Sequence, residues 1–123
     1  MNELLKMCIN RVCKFPIIYS TENLSPTNLL KQCGYFELFD KVTTDEISDY
    51  LISNPEIVDS WLLFTEDIRH SPAWGLGHKD NKWTVTLAKS GKVLEEFEYE
   101  DKIPACTKMI KMTVESIRLD NLK

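Results

Sequence analysis

The residues Glu95-Glu96-Phe97-Glu98-Tyr99-Glu100-Asp101 place five carboxylates in seven positions. In an extended strand Glu96, Glu98 and Glu100 share one face at roughly 7 Å spacing. Carboxylates so arranged repel one another, and glutamate is a poor strand former. Two readings remain open. The acids guard a sheet edge against aggregation, or they form a negative patch that speeds association with a basic partner and sets its specificity. Asp40, Asp45, Glu46 and Asp49 form a second acidic group in the first half of the chain.

The other groups with chemical potential are sparse. There are two histidines, His70 and His78, and Ser71 adjoins His70. A Ser/His/Asp site is made by geometry rather than adjacency, and no nucleophile-elbow motif is present. His78 falls at the end of an expected strand, turned toward solvent. Cys8, Cys13, Cys33 and Cys106 have neither CxxC nor zinc-ligand spacing. Each lies among apolar neighbours and reads as a structural thiol. Gly75-Leu76-Gly77 lacks the third glycine, the lysine and the following helix of a phosphate loop. In a strand it marks a close backbone approach, with aromatic rings packed over the gap. Glu66-Asp67-Ile68-Arg69 is either a carboxylate pair or an ion pair fixing the join between helix and sheet, and the second is the simpler reading. No catalytic residue, metal site or cofactor is expected.

Composition sets the frame around these groups. The chain has 123 residues, 43% of them apolar and 28% charged, enough for one domain with a real core. Net charge is −4, from 15 basic and 19 acidic residues, which argues against direct nucleic-acid binding. Residues 1–60 carry five basic and nine acidic residues, so they supply the whole net value; residues 61–123 balance at ten each. No apolar run reaches the roughly 18–20 residues that cross a bilayer. An acid at position 3 and Lys6 within the apolar stretch do not suit a secretory signal, so a cytoplasmic, membrane-free protein is expected.

The elements that must position the acids follow from periodicity and punctuation. Leu4, Leu5, Cys8, Ile9, Val12 and Cys13 make a helical stripe over 3–14. Pro16 is expected to stop it, leaving Phe15–Tyr19 as an extended piece or turn. Ser25-Pro26 opens a helix over 26–33 that Gly34 closes, with a further turn through about residue 41. Thr43-Thr44-Asp45-Glu46 is a capping box for a helix over 44–53. Asn54-Pro55 repeats the cap-plus-proline signal for another helix through Trp61 and Phe64, although Trp61 and Leu63 also fit a strand. From Pro72 the period becomes two: Trp74–His78, Trp83–Leu87 and Val93–Tyr99 read as strands. Lys79–Lys82 and Lys89–Lys92 are the hairpin turns between them. A final helix over 102–119, with Ile103, Cys106, Ile110, Val114 and Ile117 on one face, should cover the apolar side of the sheet. Lys108, Lys111, Glu115 and Arg118 fall on its other faces. The expected fold is α+β: N-terminal helices over 1–68, then an antiparallel meander of three or four strands and a C-terminal helix over 72–119, in one domain.

Several segments together carry a resemblance. They are NPEIVDSW from Asn54 to Trp61, TEDIR from Thr65 to Arg69, SPAW from Ser71 to Trp74, WTV from Trp83, and Phe97 through Ala105-Cys106. This pattern, about half of the chain, resembles small bacterial immunity proteins encoded beside polymorphic toxins, including those of contact-dependent growth inhibition systems. The resemblance implies a cytoplasmic inhibitor that occludes the C-terminal domain of a cognate toxin, with no chemistry of its own. Many such toxins are nucleases with basic clefts, to which an acidic surface is complementary. Trp61, Arg69 and Trp74 carry over as scaffold residues. The expected toxin-binding residues are Glu95, Glu96, Glu98, Glu100 and Asp101, with Asp45, Glu46 and Asp49 as a second surface. The alternative is a winged-helix-like DNA-binding regulator. Its reader would be the 44–53 helix, which holds three acids and no Lys or Arg.

Overall fold

The computed structural model describes residues 3–66 and 73–122. Asp67, Arg69, His70 and Ser71, with the ion pair or carboxylate pair expected there, lie outside the described residues. Within them the fold is α+β. Six helices precede the sheet: α1 (Glu3–Cys13), α2 (Phe15–Glu22), α3 (Pro26–Cys33), α4 (Tyr35–Leu38), α5 (Thr44–Ser53) and α6 (Ile57–Glu66). Strands β1 (Ala73–Lys79), β2 (Lys82–Lys89) and β3 (Lys92–Tyr99) follow, and α7 (Lys102–Asp120) ends the order.

Helix α1 buries Cys8, Ile9, Val12 and Cys13, while Leu4 turns outward. The stripe expected from Leu4 therefore begins one residue later, at the partly buried Leu5. Pro16 does not leave an extended piece behind it; it lies in the first turn of α2. There its missing N–H has no intrahelical partner to lose. Lys14 joins the two helices: its N–H donates to Asn10 O and its carbonyl accepts from Ile18 N, each at 3.0 Å. Asn23, at φ 53°, closes α2 in the left-handed region.

The remaining caps are local, with one reversal. Ser25 Oγ accepts from Asn28 N at 3.1 Å, and Gly34 at φ 84° donates to the Leu30 and Lys31 carbonyls. Thr43 Oγ1 accepts from Glu46 N at 3.3 Å, one half of the expected box. Asn54, expected to cap α6, instead turns back: its Nδ2 donates to Tyr50 O at 3.0 Å and satisfies the end of α5. Helix α6 then starts at Ile57 and is helical through Trp61 and Phe64. Trp61 is fully buried and its indole N–H donates to Cys13 O at 2.8 Å, tying α6 to the end of α1.

The sheet is three-stranded among the described residues, in the order β1-β2-β3, with both pairings antiparallel. Its hairpins use two-residue loops, Asp80-Asn81 and Ser90-Gly91, and all four residues have positive φ. That is the type I′ geometry whose twist matches paired strands. Leu76, Val85 and Phe97 face α7, where Lys108 Nζ stands 4.5 Å from the Phe97 ring centroid. Helix α7 also packs on α5, so it is covered on two sides. This is why Ala105, Thr107 and Met109 are buried in addition to Cys106, Ile110 and Val114, while Ile103 and Ile117 are only partly buried.

Candidate functional site

The face of the sheet turned away from α7 is ordered in two cross-strand rows. Gly75 pairs with Thr86 and Thr86 with Glu96; Gly77 pairs with Thr84 and Thr84 with Glu98. Each row thus runs from a bare backbone through a hydroxyl to a carboxylate. Gly77 is explained by a threonine and not by aromatic rings, whereas at Gly75 a side chain would meet only ordinary contact. A Cβ at Gly77 would lie 2.9 Å from Thr84 Oγ1, and one at Gly75 3.4 Å from Thr86 Oγ1.

Glu96 and Glu98 are exposed along this outer face; Glu100, expected to continue their row, falls one residue past the end of β3, where it is exposed. Glu98 Oε2 meets Lys82 Nζ at 3.4 Å, with both side chains more than half exposed, a contact that contributes little to stability. Glu95 pairs with Leu87, so it belongs to the opposite face, where it remains exposed at the sheet edge. A register shift at Leu87/Ala88 separates Glu95 from Val93. Val93 and Leu94 are exposed at 59% and 55%. Strand β3 is therefore an outer strand with apolar residues at its start and carboxylates along the rest. Asp101 ends the run as the residue preceding α7, exposed and without a side-chain capping bond.

The second acidic group is elsewhere. Asp45 and Asp49 are exposed on α5, and Glu46 is half-buried. Asp45 and Glu46 occupy the first turn, where negative charge interacts favourably with the helix dipole. Helix α5 packs on α7, and the outer sheet face is turned away from α7, so the structure does not bring the two acidic groups together.

With this geometry in hand, comparisons with protein-family models, curated proteins and solved structures give no match.

Two features escaped the sequence reading. His78 is exposed as expected, but its ring stacks on Trp83 with centroids 4.1 Å apart and planes within 7°. More consequential is a polar cluster on α7. Lys111 Nζ donates to Val42 O at 2.7 Å, Phe39 O at 2.9 Å and Tyr35 Oη at 3.1 Å. Tyr35 donates to Glu115 Oε2 at 2.6 Å, and Arg118 donates to both Glu115 oxygens at 2.8 and 3.1 Å. The Arg118 guanidinium stands 3.7 Å from the Phe39 ring centroid. Lys111, Glu115 and Arg118 are thus not simply on outer faces of α7; they hold it to the α4–α5 connection. Burial lowers the Lys111 amine from its ordinary value. Burial opposes ionisation of Glu115, but hydrogen bonds from Arg118 and Tyr35 prevail and hold its carboxyl below the usual range. The (i, i+4) and (i, i+3) spacings of these residues are the only signal in the sequence; their main partners lie some 70–80 positions away.

Proposed function

We propose that this chain is an immunity-type inhibitor that acts in the cytoplasm, binding and occluding the C-terminal domain of a cognate bacterial toxin, a basic nuclease. The observation that carries this reading is the exposed pair Glu96 and Glu98, followed by exposed Glu100 at the strand's exit, on an outer strand that begins with exposed Val93 and Leu94. A strand protected only against aggregation gains nothing from exposed apolar residues beside its charges. A protein-binding surface combines the two: apolar area for burial, and charge for steering and register. Asp101 and Glu95 extend the negative potential at the strand end and edge. The α5 acids are the lesser candidate surface, since two of the three have a local role at a helix start.

The test is co-expression with the toxic domain encoded immediately upstream. Growth rescue and a stoichiometric complex are expected; no rescue together with no complex overturns the proposal. Replacing Glu96, Glu98 and Glu100 by Lys should slow association about tenfold or more while circular dichroism stays unchanged. Unaltered binding by that variant would move the interface off β3.

A further inference from the structure

Cys8 in α1 and Cys33 at the end of α3 are 25 positions apart in the chain, yet their sulfurs lie 3.9 Å apart. Both are free thiols. Cys8 is fully enclosed, whereas Cys33 is only half-buried. Cys33 Sγ also lies 3.4 Å from Leu30 O, and either sulfur can supply the proton shared between the two. Cys33 is the last residue of α3 and precedes Gly34, which turns the chain at φ 84°. A disulfide needs an S–S distance of about 2.05 Å, so the sulfurs must approach by about 2 Å.

We propose that Cys33 and Cys8 form a peroxide-responsive dithiol that closes to an α1–α3 disulfide. The Cys33 thiolate attacks one oxygen of hydrogen peroxide. The O–O bond breaks, leaving a Cys33 sulfenic acid and a hydroxide ion. The Cys8 sulfur, giving up its proton, then displaces the sulfenic hydroxyl and the S–S bond forms. In sum two thiols and one peroxide become one disulfide and two waters: both sulfurs are oxidised and both peroxide oxygens reduced.

The surroundings divide the roles. The Cys8 S–H, the Tyr35 and Cys33 backbone N–H groups and the Arg11 charge favour a Cys33 thiolate over the opposing effect of burial, so its pKa lies below the ordinary thiol value. Cys8 is shifted upward by its bond to Cys33 and by burial, as suits a resolving thiol. Burial pushes Cys13 up to about 12 and raises Cys106 as well, so neither competes as the nucleophile.

The experiment treats the native chain with an equivalent of hydrogen peroxide, alkylates the remaining thiols in denaturant, and maps peptides by mass without reduction. Expected are loss of two hydrogen masses, a Cys8–Cys33 cross-linked peptide, alkylated Cys13 and Cys106, and full reversal by dithiothreitol. C33S should abolish the mass loss, and C8A should leave a Cys33 sulfenic acid that dimedone traps. Absence of any disulfide, or a Cys13–Cys106 disulfide in its place, overturns the proposal. The wild-type peptide map decides the matter even if a variant fails to fold.

Discussion

The polar cluster on α7 and the acidic row on β3 use the same side-chain chemistry to opposite ends. Around Lys111, Tyr35 and Glu115 each charge is met by donors or acceptors at 2.6–3.1 Å, most of them from another element. Along Glu96, Glu98 and Glu100 the carboxylates stand in solvent beside one another, with one loose contact at 3.4 Å from Lys82. The first arrangement closes the fold: removing one member strands the others in partial burial. The second is neutral or adverse for stability, because like charges on neighbouring positions of one strand face repel. The α7 cluster thus serves the fold, whereas the acidic row adds nothing to it.

The largest effect that would test this contrast is at Lys111. Lys111→Met should destabilise the chain by about 3 kcal/mol, since it leaves two carbonyls and a tyrosine hydroxyl without their donor. Denaturant unfolding monitored by tryptophan fluorescence reads this, and a change under ~0.5 kcal/mol would mean that the cluster is ornamental to stability. Glu115 sharpens the same point through pH. Its folded pKa is depressed, so the stability it adds is complete above the unfolded carboxylate value of about 4.3 and disappears as pH falls through the folded value. Glu115→Gln should therefore cost about 2 kcal/mol at neutral pH, with the gap from wild type narrowing in melts below the unfolded value. A gap constant across that range would deny the carboxylate its role. The smallest expected effect is on β3. Replacing Glu96, Glu98 and Glu100 together by Gln should change stability by no more than about 0.5 kcal/mol, with any gain coming from relieved repulsion. A loss above ~1 kcal/mol would show that the acids serve the fold, and the contrast would fail.

Much of the fold was legible because its signals are short-range. The helix starts at Ser25 and Thr43, the glycine stop at Gly34, the two hairpin turns and the period-two strands all depend on bonds or contacts within a few residues. The single face shared by Glu96 and Glu98 was legible for the same reason: alternation in a strand is a local rule, though Glu100 falls past the strand's end. The departures arose where a side chain had two partners within reach. Asn54 satisfies the helix behind it and not the one ahead. Pro16 opens a helix where it was expected only to end one, because a missing N–H is tolerated in a first turn.

What the sequence by itself determined is the α+β order of elements, the cover of α7 over an apolar sheet face, and the grouping of acids on the other face. Periodicity and caps are properties of neighbouring residues, so they can be read along the chain. Only the tertiary structure decided that Lys111 reaches Phe39 and Val42, that Thr84 occupies the space Gly77 leaves free, that the α5 acids stand apart from β3, and that Cys8 meets Cys33. Each joins different elements, in most cases far apart along the chain, and no local preference encodes it. The shared core brings these partners together, and burial then makes their polar contacts matter.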